Sequence, residues 1–481
     1  MRKFLLFLFL FNFIFIQESN CQETFATRID EFMQAKTRLN NFNGAILLAR
    51  NDSILIEKAY GLADREWNVA TTSDTKFRIA SITKQFTAVC ILQLEEHGKI
   101  KLTDTLGKFI PGFKYGNVVT INMLLTHSSG LQEYSSYPPL NDVRPISFTR
   151  DSMVELFKSR PFDFYPGKGL NYSNTGYYLL GIVIEKASGE SYADYLSNHI
   201  FKVLGMVNSG FEVSGDSIIP KRARGYVRYP SGTYNAFDEN YRQGWGYADG
   251  NIYSTVGDLY IFEKALKGNT LLSDAAKKKM STQYGYSIVL TKEDTAKVVD
   301  PFWMHAGYGV FIDTLWGHKR YLTAGGKSGF RSAKYNLPDN NICVIVLTNM
   351  EDNLFQLTDE LTAILLGNDF STPYTHTSTK IDARVLTKYI GKWKGKGAAN
   401  DITQEHVFEI VIKDNKLYRR KPENKPPPNN FHDQELIPES ETRFFYGDGQ
   451  DKVFDFSTIG TEKTNYIWFI KNGLKFRWEK L

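Results

Sequence analysis

The chain has 481 residues, which at roughly 150 residues per domain is too many for one compact unit and suggests two or three. Hydrophobic residues make up 42% and charged residues 23%, close to globular averages, so composition excludes a chain that is disordered throughout. The formal charge of +5 is small for this length, and the lysines and arginines are mixed with acids rather than gathered into a basic run, which argues against a nucleic-acid partner.

In chain order, Arg2-Lys3 leads into FLLFLFLFNFIFI and then the polar QESNC. A basic start, a short apolar core and a polar exit predict a signal peptide over 1–21, with cleavage near Cys21–Gln22 and export to a periplasmic or extracellular space. The apolar part, Phe4 to Ile16, is shorter than the roughly 20 residues that span a bilayer, and no later stretch is long enough. No stable membrane span is therefore expected after cleavage. A lipid anchor on Cys21 is the rival reading; Glu18-Ser19-Asn20 before it lacks the small residues that such a signal needs.

Residues 25–39 read as a helix. NGAILLARNDSILIEKAYG reads as a hairpin, Ala45 to Ala49 and Ile54 to Ala59 about a turn at Asn51-Asp52. Helical patterns run from Ser81 to about Leu204, and another helix is expected around Asp258–Lys267. Strand-like segments return at SIVL, YGVFI and NICVIVLTN, and a helix from Asn353 to Leu366 follows. Strands at both ends with helices between them predict one sheet built from both ends of a domain over 22–366, with a helical insertion. Residues 367–380 form a polar Ser/Thr/Pro linker. Beyond it HVFEIVI, KLYRR, RFFYG, KVFDFS, YIWFI and LKFRWEK are separated by Asp-Asn, Gly-Asp and Asn-Gly turns, which predicts a small all-β domain over 381–481. PENKPPPNN within it reads as a solvated loop.

Past Cys21 only Cys90 and Cys343 remain, each in an apolar segment. An oxidising compartment would permit a disulfide, but two buried free thiols are the preferred reading. The eight histidines are scattered and no metal-ligand spacing is present.

Two stretches could carry chemistry. In FRIASITKQFTAVCILQLEEHGK, Ser81 and Lys84 open a helix one turn apart and share a face. Ser81 reads either as an N-cap or as a nucleophile with Lys84 as its base, which requires Lys84 to be held neutral by burial or by neighbouring cations. In YPGKGLNYSNTGYYLLG, Tyr172-Ser173-Asn174 precedes a second helix. There Asn174 reads either as that helix's cap or as a second polar partner of the first pair.

With these motifs in place, the chain resembles the serine β-lactamase and penicillin-binding-protein superfamily, in its branch of class C β-lactamases, D-alanyl-D-alanine carboxypeptidases and esterases. FRIASITKQFTAVCILQLEEHGKIKLTD, INMLLTHSSGLQEY, YPGKGLNYSNTGYYLLG and GYADGNIYSTVGDL look like family segments in family order, over roughly Phe25 to Leu366. The resemblance implies an α+β fold, an antiparallel sheet flanked by helices with an all-helical region beside it and the site between them. It implies Ser81 as the acylated nucleophile and Lys84 as base or proton partner. Tyr172 would relay the proton to the leaving group, Asn174 would hold Lys84 and the substrate, and the backbone N–H groups of Ser81 and Gly326 would form the oxyanion hole.

The third family motif departs from the pattern. YLTAGGKSGFRS aligns Thr323-Ala324-Gly325 with it, so Thr323 stands where a lysine or histidine is expected. In family members that cation helps hold a substrate carboxylate; Lys327 and His318 are the nearby candidates to replace it. His127 and Asp249-Gly250-Asn251 are read as structural, and Cys90 and Met123 as core. YIGKW and IPESETRFF resemble the lipocalin-like β domains attached to this family. The expectation is an exported serine hydrolase that needs no metal or organic cofactor and acts on a small-molecule or peptide substrate: an ester, a small amide or a D-amino-acid peptide. The alternatives are a D,D-carboxypeptidase or β-lactamase, and a non-catalytic binding or sensor protein. The oligomeric state is left open.

Overall fold

The computed structural model describes residues 25–136, 149–213, 217–229, 231–236, 246–284, 305–397, 401–420, 433–448, 451–459 and 465–481. The expected signal peptide with Cys21, the SIVL strand and the PENKPPPNN loop lie outside these residues. The chain divides into two compact units: Phe42–Thr358, and Met1–Asn41 together with Asp359–Leu481. Among the described residues no helix is long and apolar enough to cross a membrane.

The larger unit is built on a six-stranded antiparallel sheet. Its strands are β1 (Gly44–Arg50), β2 (Ser53–Tyr60), β3 (Phe311–Leu315), β4 (His318–Lys327), β5 (Phe330–Leu337) and β6 (Ile342–Thr348), in the order β3-β4-β5-β6-β1-β2. The two central strands come from opposite ends of the unit. β6, ICVIVLT, is buried at every residue and β1, GAILLAR, at all but its last. Such unbroken apolar runs suit strands covered on both faces. β2 at the edge, SILIEKAY, is partly exposed, with only Ile56 and Tyr60 buried. The β1–β2 turn places Asn51 at φ 50° and Asp52 at φ 60°, the twist a two-residue hairpin needs and one these residues tolerate.

Between β2 and β3 lie the helices. α1 (Thr83–Glu96) is buried from Thr83 to Leu94, polar residues included, so it runs through the core rather than over it. α2 (Asn174–Ser188) and α3 (Val256–Lys267) flank it, and Phe86 of α1 stacks on Phe262 of α3 at 3.8 Å. Cys90 and Cys343 are both buried and free. The helix expected from Asn353 is α4 (Leu354–Leu365).

In the smaller unit eight antiparallel strands close into a barrel: β7 (Gly391–Gly395), β8 (His406–Lys413), β9 (Lys416–Arg420), β10 (Gln434–Pro438), β11 (Arg443–Tyr446), β12 (Lys452–Asp455), β13 (Tyr466–Lys471) and β14 (Leu474–Lys480). β7 pairs back onto β14, which removes the free edges. Eight strands leave an interior about wide enough for side chains. Aromatics occupy it: Phe408 lies 4.3 Å from Trp478 and Phe454 4.9 Å from Phe469, centroid to centroid, all four buried. Residues 25–38 form the helix expected there, and its Phe32 meets Phe370 edge-on at 5.8 Å. The linker is tied to the barrel: the Thr379 N–H donates to the Pro438 carbonyl at 2.8 Å, and the His376 ring lies between Asp451, 3.0 Å away, and Glu439, 3.3 Å away.

Candidate active site

The chain reaches Ser81 along a short strand, Phe77–Arg78, anchored by the buried Arg78 guanidinium, which gives Glu212 two 2.8 Å hydrogen bonds. The Ile79 carbonyl accepts from the Ser332 hydroxyl of β5 at 2.8 Å, and Ala80 is held at φ 45°, a conformation that costs a non-glycine residue energy. A single 3₁₀ turn, Ala80–Ile82, then runs into α1. No side chain caps either element, so Ser81 is not the N-cap that its position invited. Its hydroxyl is free for other partners.

Those partners are Lys84 and Tyr172. The Lys84 ammonium donates to Ser81 Oγ at 3.0 Å, to Asn174 Oδ1 at 2.6 Å and to the Asp249 carbonyl at 2.8 Å; the Tyr172 hydroxyl donates to Ser81 Oγ at 2.8 Å. Lys84 is 3% exposed. Burial pulls its pKa down to about 8, against the opposing pull of the Asp249 and Glu133 carboxylates. This geometry matches the neutral amine as well. An NH₂ group has two donors, enough for Asn174 and Asp249, and its lone pair then points at Ser81.

Asn174 is the first residue of α2, not its cap. Ser173 caps that helix, its hydroxyl accepting from Gly176 N at 3.0 Å, and Gly189 closes it at φ 81°. The α2 start is held by groups that no local motif marked. Glu133 accepts from Asn174 N at 2.5 Å and from Asn174 Nδ2 at 3.0 Å. His127 Nδ1 accepts from Ser173 N at 3.1 Å, and burial together with the nearby Lys84 pushes its pKa down to about 3. The neutral His127 ring lies 4.7 Å from Tyr172, a packing and hydrogen-bonding role. Asp249 receives the Tyr134 hydroxyl at 2.8 Å and Tyr247 N at 2.8 Å. Its segment approaches α2 closely because residue 181 is glycine; a Cβ there would lie 2.4 Å from the Tyr247 ring.

β4 passes beside the nucleophile. A Cβ on Gly325 would stand 2.4 Å from the Ile79 carbonyl and 2.7 Å from Ser81 N, so only glycine allows this approach. Gly326 follows, lining two cleft lobes that meet at Ser81. One, of about 490 Å³, is polar, lined by Tyr134, Ser135, Asn174, Lys327, Arg331 and Glu351 among others. The other, of about 500 Å³, is walled by Tyr172, Phe311, Leu322, Ala324 and Phe355, with Arg331, Glu351 and Asp352. Thr323 is not brought into either lobe. It is 4% exposed and lines a separate cavity of about 330 Å³ with Gln85, Glu263, Lys334 and Asn336. His318 opens β4, roughly 25 Å from Gly326 at strand rise, and lines neither lobe. Lys327 does, with Nζ 2.7 Å from Asn251 Oδ1. Glu133, Asp249 and Arg331 are the site residues that sequence reasoning passed over or read as scaffold. Each lies in a loop or strand whose sequence carries no signal of what it will face.

Comparisons with known proteins agree with this architecture. The family model described as Beta-lactamase matches residues 25–369. Penicillin-binding protein 4* of Bacillus subtilis (strain 168) is 30% identical over 434 residues, 84% of this chain and 88% of its own. The octameric penicillin-binding protein homologue from Pyrococcus abyssi superposes with a TM-score of 0.59 at 25% identity, over 95% of this chain and 99% of that one. A D-amino acid amidase from Ochrobactrum anthropi SV3 shares the fold, with a TM-score of 0.59 at 22% identity over 71% of this chain and 97% of that one.

Proposed function

The chain belongs to the Beta-lactamase family, and from that premise we propose that it is an exported serine hydrolase, forming an acyl-enzyme on Ser81 with esters, small amides or D-amino-acid peptides. The basic, apolar and then polar start of the sequence supports export.

The observation that carries the reading is the connected set Ser81 Oγ, Lys84 Nζ, Tyr172 OH and Asn174 Oδ1, each link between 2.6 and 3.0 Å, around a lysine whose pKa burial brings to about 8. In the reaction, neutral Lys84 takes the Ser81 proton as Oγ attacks the substrate carbonyl carbon. The carbonyl electrons move onto oxygen, which sits against the N–H groups of Ser81 and Gly326. Donors aimed at that developing charge contribute about 3 kcal/mol each. Collapse breaks the bond to the leaving group. Tyr172, kept as the neutral phenol by burial, hands its proton to the leaving atom and recovers one from the Lys84 ammonium by way of the site's hydrogen bonds. Water then enters, gives its proton along the same route in reverse, and releases the acid. Asn174 holds Lys84 through its side-chain carbonyl and lines the lobe that receives the substrate.

The similarity to penicillin-binding protein 4* supports a second reading, a D,D-carboxypeptidase or β-lactamase acting on peptidoglycan-like bonds. Thr323 weighs against it, because the cation of the family's third motif is missing.

Labelling tests both. The protein and a Ser81→Ala control are treated with a fluorophosphonate and, separately, with a penicillin, and adducts are located by mass spectrometry. A fluorophosphonate adduct on Ser81 that the control lacks is the expected result. A penicillin adduct in addition moves the substrate toward peptidoglycan chemistry. A folded protein that takes neither label overturns the hydrolase reading in favour of a binding or sensor protein.

A further inference from the structure

The two lobes that meet at Ser81 differ in which proton-handling residue they contain. Asn174 lines the polar lobe and not the other; Tyr172 lines the apolar lobe and not the polar one. A group that protonates the departing atom must stand within hydrogen-bond reach of it. Tyr172 is that group in the mechanism above, so the leaving group departs into the Tyr172 lobe and the acyl portion lies in the polar lobe beside Asn174 and Lys327.

The walls of the Tyr172 lobe then bear on specificity. Phe311, Leu322, Ala324, Leu354 and Phe355 supply apolar surface. Its charged groups are Arg331, Glu351 and Asp352. Arg331 is engaged by Glu351 at 3.1 Å, and Asp352 is joined from outside the lobe by Arg228 at 3.2 Å. The cation on the wall, Arg331, is thus already engaged by Glu351 and by the Lys327 and Phe330 carbonyls, and each wall carboxylate carries an arginine, with Arg65 and Arg331 also acting on Asp352. Thr323, which holds the position of the family's basic residue, faces a different cavity and has no charge to contribute.

We propose that the Tyr172 lobe is a leaving-group pocket that favours uncharged, apolar alcohols and amines and discriminates against leaving groups carrying a carboxylate. The assignment rests on Ser81 being the nucleophile. It places the natural substrate among esters or amides of neutral aryl or alkyl partners rather than chains ending in a free amino-acid carboxylate.

The test holds the acyl group constant. Phenyl acetate and 4-acetoxybenzoate differ by one carboxylate on the leaving phenol, and their kcat/KM values are compared after normalisation to their hydroxide-catalysed rates. A preference of about tenfold or more for phenyl acetate is expected from the cost of desolvating a carboxylate beside arginines that are already paired. Asp352→Asn narrows that ratio by speeding the anionic ester. Phe355→Ala, at a surface position that packing does not require, lowers the preference for 2-naphthyl over methyl acetate. Equal or faster turnover of 4-acetoxybenzoate overturns the pocket assignment, as does a ratio that Asp352→Asn leaves in place. Fluorophosphonate labelling of Ser81 in the same preparations separates the two readings. Labelled protein that prefers the anionic ester loses only the pocket assignment, whereas unlabelled protein that turns over neither ester loses both.

Discussion

Asn174 presents its side-chain carbonyl, not its amide, to Lys84, with Oδ1 2.6 Å from Nζ. The orientation is set from the other side, where Glu133 accepts from both Asn174 Nδ2 and Asn174 N. A carboxylate cannot donate, so the amide edge must face Glu133 and the carbonyl edge is left for the lysine. Glu133 thereby positions a group that it does not share with Ser81.

Glu133→Ala is expected to free the Asn174 amide and lower kcat/KM by about 2 kcal/mol, roughly thirtyfold, through the loss of a hydrogen bond to a charged group. Because the loss acts through Lys84, the pH profile moves with it. An activity loss with an unchanged profile points to a purely structural role.

The pH dependence follows from Lys84. A lysine that serves as base works when neutral, so kcat/KM rises with pH and is half-maximal near pH 8, where burial places its pKa. The Asp249 carboxylate favours the cation and so opposes that shift. Asp249→Asn, whose amide retains partners for Tyr247 N and the Tyr134 hydroxyl, lowers the pKa further and moves the acid limb to lower pH. A limb that moves upward, or does not move, assigns the titration to another group.

Gly325→Val places a branched side chain where even a Cβ meets the Ile79 carbonyl and Ser81 N. The expected result is loss of fluorophosphonate labelling by about a hundredfold or more, with overpacking costing about 1–3 kcal/mol of stability. Circular dichroism and urea unfolding separate the two effects. A variant that labels at the normal rate shows that β4 does not constrain the nucleophile.

His376 supplies a second pH dependence, in the smaller unit. Asp451 and then Glu439 raise its pKa through hydrogen bonds and charge, against partial burial; Tyr374, itself bonded to Glu439, packs on the ring, as does Phe445, and Arg443 lies over Tyr374. A raised folded-state pKa gives stability that is fully present below the ordinary imidazole value of about 6.5 and is lost as pH rises through the folded value. Urea unfolding of the full chain should therefore show the barrel weakening through that window, and Asp451→Asn should flatten the dependence. A barrel more stable above the window than below it reverses the sign and removes the explanation.

Local pattern was enough for much of the fold. The β1–β2 hairpin was legible from two apolar runs about Asn51-Asp52, because side-chain period and turn chemistry are short-range properties. α1 was legible as a helix and NICVIVLTN as a strand, but the burial of the polar Thr83, Lys84, Gln85 and Thr87 and the central place of NICVIVLTN in the sheet came from packing. The barrel strands were legible as aromatic runs between turns, although the closure of β7 onto β14 is a long-range pairing that no single run encodes. At the site, Ser81 and Lys84 were visible because one helical turn brings them together, whatever the rest of the chain does.

What the sequence by itself determined is this local frame: which segments are helix or strand, and that a serine and a lysine share one face at a helix start. The tertiary structure alone decided what surrounds them. Glu133, Asp249 and Glu351 are carboxylates on separate segments, and whether each holds an asparagine, tunes a lysine or pairs with an arginine depends on which segment it meets. Thr323 and Gly325 both lie on β4, yet Gly325 abuts Ser81 and Thr323 lines another cavity. The physical reason is range. Backbone preference and side-chain period act over a few residues, whereas the charge, burial and shape of a site arise from groups up to 270 positions apart, and their effect depends on distances that only packing sets.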